Sequence, residues 1–378
     1  MITPLFTAFV AFGLALLQAM VLASWRDRIR KEGLRKLERR DEREPSSATI
    51  IVPARDAEGT LIPLLQDLNA QDVPKERVEV IVVDDNSSDG TVSITEGMMR
   101  VWSQLRLLRN EGEGKKAAIT TGVKNARHGV IILTDADTRC ERERVRTILE
   151  AMSDVDLLIL PVRTEGDGSF VGRLQEEEQA GLLGMAAGEA FLGRPGLAYG
   201  ANLAFLHSAF DAVGGYSDER YASGDDVFLV ERMKKAGKRI AFLLDQRALV
   251  TVEAEPSWRG FFEQRVRWAG KMRGVRGAMP WTGSVALLLP WFLVWASMRF
   301  ELSGIMEESG LETLLLLIAA WSLWIVPVIA LVGEVRRFLG QRAWPVVSLS
   351  CFVLFTVYSP LITLVSFVHR PRWKGRRV

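Results

Sequence analysis

The chain has 378 residues, room for more than one domain, and a formal net charge of only +2, which excludes a global cationic field for nucleic acid. Hydrophobic residues make up 48% and charged residues 25%, a combination that requires the two to be segregated along the chain. Cys140 and Cys351 lie far apart in unlike regions, which argues against a disulfide framework or a zinc site.

Segment 4–23 is apolar and reaches the roughly 20 residues that span a bilayer. It lacks a basic start and a small-residue cleavage site, so residues 1–24 read as a transmembrane anchor rather than a signal peptide. A buried core helix is the alternative. "RDRIRKEGLRKLERRDER" follows, dense in Arg and Lys, and the positive-inside rule makes 25–45 a basic cytoplasmic linker.

Residues 46–255 form a polar, mixed domain in which strand and helix patterns alternate. "ATIIVPA" predicts a strand and 58–71 a helix. "VEVIVV" predicts a strand and 91–102 a helix. "LRLLR" predicts a short strand and 115–127 a helix, and "GVIILT" is again a buried strand. Such alternation predicts an α/β fold, a mostly parallel sheet with helices on both faces. Ligands bind beyond the carboxyl ends of strands in such sheets.

Acidic residues stand at those ends. "VEVIVVDDNSSDGT" delivers Asp84 and Asp85, although Asp, Asn and Ser also build ordinary turns. "VIILTDADT" repeats the device with Asp135 and Asp137. In an extended segment, residues i and i+2 point the same way. The spacing therefore predicts two carboxylates on one site, suited to Mg2+ or Mn2+ completed by diphosphate oxygens. "YASGDDVFLVERM" places Asp225 and Asp226 before a helical pattern, as helix-start acids or as a catalytic carboxylate.

Residues 256–279, "PSWRGFFEQRVRWAGKMRGVRGAM", predict an amphipathic helix on the membrane surface. Gln264, Arg267 and Trp268 share one face of it. Arg offers a planar fork for diphosphate and Trp a flat apolar platform. Region 280–368 carries apolar segments 280–299, 312–333 and 345–368, two or three of them true spans. Three would place the basic tail, 369–378, outside, against the positive-inside rule. The last segment, with Ser359-Pro360 near its middle, is the candidate re-entrant one.

"VPARDAE", "VVDDNSSDGT", "TDADT", "GDD" and "QRVRW", in this order, resemble the membrane-bound glycosyltransferase family 2 pattern with a QxxRW motif. The resemblance spans about residues 48–270. It implies a GT-A fold, a nucleotide-sugar donor and a divalent metal. By motif, it places Pro53, Ala54 and Arg55 beside the nucleotide base, with Asp85 accepting from the base, read as uracil. It brings Lys115 to the nucleotide and gives Asp135 and Asp137 to ribose, diphosphate and metal. It makes Asp226 the catalytic base, with Asp225 the alternative. It sets Gln264, Arg265, Arg267 and Trp268 over diphosphate and acceptor. Asp56-Ala57 stands where Asn-Glu is common in the family.

The implied function is an inverting hexosyltransferase in a bacterial inner membrane, its catalytic domain cytoplasmic, glycosylating a membrane lipid. Trp373-Lys374-Gly375-Arg376 resembles the tail of ceramide- and hopanoid-type lipid glucosyltransferases. The alternative acceptor is a growing polysaccharide, as in hyaluronan, poly-N-acetylglucosamine or cellulose synthases. Two readings of other classes are a haloacid-dehalogenase-type phosphatase, for which Thr138 stands one position too early, and a non-catalytic membrane scaffold.

Overall fold

The computed structural model describes residues 3–34, 47–216, 224–272, 278–303, 309–369, 372–373 and 376–377. The chain opens with α1 (Pro4–Leu34). It then alternates β1 (Ala48–Ala54), α2 (Leu61–Asn69), β2 (Val78–Asp84), α3 (Thr91–Met99), β3 (Leu105–Arg109), α4 (Lys115–Lys124) and β4 (Val130–Thr134). β5 (Thr138–Cys140), α5 (Arg144–Ala151), β6 (Leu157–Ile159), β7 (Val162–Glu165) and the long α6 (Phe170–Phe191) follow. Next come β8 (Asn202–Leu206), α7 (His207–Ala212), α8 (Asp225–Lys235), β9 (Ile240–Phe242) and β10 (Val250–Glu253). The helices α9 (Trp258–Met272), α10 (Ala278–Ser303), α11 (Gly310–Phe338) and α12 (Pro345–Val368) complete the order.

The main sheet runs β3-β2-β1-β4-β8-β6-β9, and β5-β10-β7 form a smaller one. β1 through β4 are parallel, as their apolar runs predict. β8 is antiparallel to both of its neighbours, which the sequence did not announce. Successive residues in a strand face opposite sides. Ile51, Ile81, Val83, Ile131 and Leu133 therefore pack on one face with α4, α6 and α8. Ile50, Val52, Val80, Val82 and Ile132 pack on the other with α2 and α5. β2 and β4 flank β1, so chain order reverses there and a crevice opens at the carboxyl edge. This is a GT-A-like sheet with apolar helices at both ends of the chain.

Three helices among the described residues are long and apolar enough to cross a membrane, at Pro4–Gly33, Gly310–Phe338 and Pro345–Val368. Their outer faces expose Phe9, Leu17, Leu315, Val326, Leu361 and Phe367, a surface that suits lipid better than water. α1 does not stop at residue 24. The first ten residues read as linker continue the helix, because Trp25 and Ile29 are buried in the same core as Ile131 and Leu133. Residues 35–45 of that linker lie outside the described residues.

Segment 345–368 is one continuous helix through Pro360, not an interrupted one. Proline lacks an N–H and leaves the carbonyl four residues earlier without its helical donor. The Trp291 indole N–H of α10 donates to that carbonyl, Thr356 O, at 3.1 Å. The break the sequence suggested is thus repaired by a neighbouring helix.

Charge joins the domain to the apolar helices. α6 presents Glu176, Glu177 and Glu178 in succession. Arg336 at the end of α11 lies 3.2 Å from Glu176 and 3.1 Å from Glu177, and its side chain is 6% exposed. Burial pushes the Glu177 carboxyl up, with Arg336 and Ser348 pulling it back. Removing the cation from such a group leaves buried carboxylates unpaired. We expect Arg336→Met to cost about 3–5 kcal/mol, read as earlier thermal unfolding in detergent. Unchanged unfolding would show that the cluster does not hold the helices to the domain.

Candidate active site

The loops after β1 and β2 are laced together. Asp56 sits at φ 45 and Asn86 at φ 58, left-handed conformations that Asp and Asn tolerate best. The Asp56 carboxylate accepts from Ser88 N at 2.8 Å and Ser88 Oγ at 3.1 Å. Glu58 N donates to Asp89 Oδ2 at 2.9 Å, and Ala57 N to Thr91 Oγ1 at 2.8 Å. Asp89 also accepts from Thr91 N at 3.0 Å, which starts α3 where the sequence placed a helix start.

Asp85 is 2% exposed and organises this edge. Its Oδ1 accepts from Asn110 Nδ2 at 2.7 Å and from Gly114 N at 3.0 Å. Arg55 Nη1 donates to Asp85 O at 2.8 Å and lies 4.0 Å from Oδ2. One oxygen is therefore committed to the loop that leads into α4. Gly114, at φ 85, makes the turn that aims Lys115 across the crevice. Lys115 Nζ meets Asp135 Oδ1 at 2.7 Å. Pro53 and Ala54 close β1 in the strand between.

The Asp135–Asp137 segment corrects an expectation. It is a turn, not extended chain, so strand alternation does not set the two carboxylates. Thr138 N and Thr138 Oγ1 both donate to Asp135 O, at 3.3 and 2.9 Å. The chain must leave β4 and enter β5, which belongs to the other sheet, and Asp and Thr suit that reversal. Asp135 is half-buried and Asp137 exposed. Together they offer hard oxygen ligands from a single turn. Among the described residues, no group of three or more His, Cys, Asp or Glu could hold a metal unaided. That donor set fits a divalent cation whose remaining ligands come from a diphosphate.

Asp226 is the second residue of α8, after Gly224, whose φ of 93 turns the chain into the helix. It is 6% exposed. Gly200 N donates to its Oδ2 at 3.2 Å and Val227 N to its Oδ1 at 2.7 Å. Gly200 lies two residues before Asn202, which pairs with Thr134 across β8 and β4. Thr134 precedes Asp135. Neighbouring strands lie about 5 Å apart, so this pairing sets the Gly200 turn, which holds Asp226, beside the end of β4 that leads into the Asp135–Asp137 turn. Lys116 Nζ, 5.0 Å from the centre of the Phe228 ring, ties α8 to the start of α4. Burial and the neighbouring Asp226 raise the Tyr199 phenol, which keeps it protonated. Asp225 begins the same helix, and its side chain lies outside the described residues.

The α9 residues form a second group, built on α6. Gln264 Nε2 donates to Glu255 Oε1 at 3.3 Å. Arg265 is buried, donates from Nε to Glu178 at 2.8 Å, and stacks on Phe261 at 4.5 Å and Trp268 at 4.4 Å. Its guanidinium is spent within the fold rather than presented to a ligand. Arg267 and Trp268 are partly exposed. The acidic run of α6 has no signature of burial in the sequence, since three successive Glu normally mark a solvated face. Residues 374 and 375 of the tail motif lie outside the described residues.

Residues 49–214 match the model of glycosyl transferase family 2. The match ends before Asp226 and α9. The chain is similar to a probable glycosyltransferase, YdaM, of Bacillus subtilis, 28% identical over 61% of this chain and 56% of that protein. It is also similar to the beta-monoglucosyldiacylglycerol synthase of Synechocystis, 25% identical over 58% of this chain and 46% of that one. A third relative is the poly-beta-1,6-N-acetyl-D-glucosamine synthase of Staphylococcus aureus, 24% identical over 63% and 55%. The chain spans about half the length of the curated relatives it matches. Among solved structures, the Pyrobaculum calidifontis mannosyltransferase PcManGT, in complex with GDP-Man and Mn2+, has the same fold. The TM-score is 0.56 and the identity 19%, covering 93% of this chain and 99% of that one.

Proposed function

We propose that the glycosyltransferase family 2 domain of this chain moves a hexose from a nucleotide sugar, read as a UDP-sugar, to a hydroxyl of a membrane lipid, inverting the anomeric centre. The observation that supports the reading is the Lys115–Asp135 contact at the carboxyl edge of the sheet, with Asp226 held by the Gly200 turn that leads into β8, the strand paired with β4. The sheet core itself contains the ends of α1 and α11. A lipid acceptor would enter from those helices.

In this reading Asp226 takes the proton from the acceptor hydroxyl, whose oxygen attacks the anomeric carbon. The bond from that carbon to the diphosphate oxygen breaks, and the nucleoside diphosphate leaves with the electron pair. Asp135 and Asp137 would hold Mg2+ or Mn2+, which would supply charge neutralisation on the leaving diphosphate. In this reading Lys115, beside Asp135, and Arg267 of α9 would add positive charge to stabilise the leaving diphosphate. The two N–H donors on Asp226 fix the direction of its lone pairs.

Trp268 would form the acceptor platform. We expect Trp268→Ala to lower transfer about tenfold more than donor hydrolysis, since loss of positioning acts on the attacking group. Equal losses would remove Trp268 from the acceptor side. A polysaccharide acceptor is the second reading, favoured by the likeness to the Staphylococcus aureus synthase. The basic segment that starts at Arg26 supports localisation in a bacterial inner membrane with the domain on the cytoplasmic side.

A further inference from the structure

Arg144, the first residue of α5, is 0% exposed, and among the described residues it has no carboxylate partner. Its hydrogen bonds go to neutral groups. Nη2 donates to Thr134 Oγ1 at 2.9 Å, to Asn202 Oδ1 at 2.8 Å and to Leu133 O at 3.4 Å. Nε donates to Asn202 Oδ1 at 3.2 Å. Asn202 is also 0% exposed, and its Nδ2 donates to Pro161 O at 2.7 Å and Ala248 O at 2.9 Å. A buried cation with neutral partners is a costly way to stabilise a core. Its location suggests what it is retained for.

Thr134 is the last residue before the Asp135–Asp137 turn. Asn202 is the first residue of β8, and its N–H donates to Tyr199 O at 3.0 Å, closing the turn from which Gly200 N reaches Asp226. One guanidinium therefore fastens the root of the Asp135–Asp137 turn, the donor turn of the proposed function, to the root of the turn that holds Asp226. Nη2 alone reaches both roots, and Nε adds a second bond to Asn202 Oδ1 that fixes the plane of the guanidinium; an ammonium on a flexible stem lacks that second, rigidly placed donor.

We propose that Arg144 and Asn202 are positioning residues that fix Asp226 relative to the donor turn. This rests on the glycosyl-transfer reading. The couple touches neither substrate and acts through the two turns it joins.

The test compares Arg144→Lys, Thr134→Val and the double variant in full-length protein in nanodiscs. UDP with Mn2+ is the binding probe, and sugar transfer is the turnover readout. A displacement of the base relative to a bound donor should lower kcat of Arg144→Lys about thirty- to a hundredfold, with UDP–Mn2+ affinity held within about threefold. The double variant should transfer no more slowly than Arg144→Lys alone, because both changes cut one link. An Arg144→Lys protein with near-native kcat would overturn the proposal. So would an affinity loss as large as the kcat loss, which would confine Arg144 to the donor turn, or additive losses in the double variant. If Arg144→Lys does not fold, Thr134→Val alone must still lower kcat without loss of affinity. Wild-type protein that transfers no sugar would defeat the underlying reading instead, an outcome distinct from all of these.

Discussion

Asp226→Asn is expected to bind the nucleotide-sugar donor with near-native affinity and to transfer sugar at least about a thousandfold more slowly. The amide cannot take up the proton of the acceptor hydroxyl, so attack proceeds without its general base. The substitution leaves Asp135, Asp137 and Lys115, the proposed donor-side residues, in place; the Asp226 carboxylate accepts from Gly200 N and Val227 N. The substitution has a secondary cost. Both carboxylate oxygens accept a backbone N–H, and asparagine offers only one acceptor oxygen. One buried donor is then left without its partner, at about 1–3 kcal/mol. Thermal unfolding should therefore be recorded beside kinetics and donor affinity. Donor affinity falling in step with turnover would move Asp226 out of the base role.

The second large effect is expected at Asp137. This carboxylate is exposed, so Asp137→Asn should leave folding within about 0.5 kcal/mol of wild type, as surface changes usually do. Its loss would fall on metal-supported donor binding. We expect UDP affinity in the presence of Mn2+ to drop about a hundredfold, with transfer dropping at least as far. Asp135→Asn is a poorer test, since it also removes the 2.7 Å contact with Lys115. Full turnover in Asp137→Asn would show that this turn holds no catalytic cation.

The parallel half of the sheet was legible because a strand buried on both faces is apolar at nearly every position. β1, β2 and β4 read that way in the sequence and pack that way in the fold. Strand-end acids were legible for the same reason, as polar residues ending apolar runs. Direction was not. β8 looks like any buried strand, and only its long-range pairing makes it antiparallel. The Asp135–Asp137 turn was not legible, because nothing in "VIILTDADT" marks that pairing in β4 ends at Thr134 and alternation with it. Proline in the last apolar segment was overweighted, since nothing local announces that Trp291 serves the freed carbonyl. Arg144 did leave a trace. It lies three and four residues before Thr147 and Ile148, on the buried face of α5. An arginine at such a position is a signal that periodicity can supply, although its partner on β8 is not.

The most direct test of the account is the fate of the sugar. Purified protein in native-like membrane would receive single radiolabelled nucleotide sugars with Mg2+ or Mn2+, and the products would be partitioned between organic solvent and water. The account predicts label in the organic phase with a single sugar added per lipid, absent when Asp226 is replaced by Asn. Label accumulating as high-molecular-weight aqueous material would contradict the lipid acceptor and make the chain a polysaccharide synthase. No transfer from any donor would contradict the proposed activity itself.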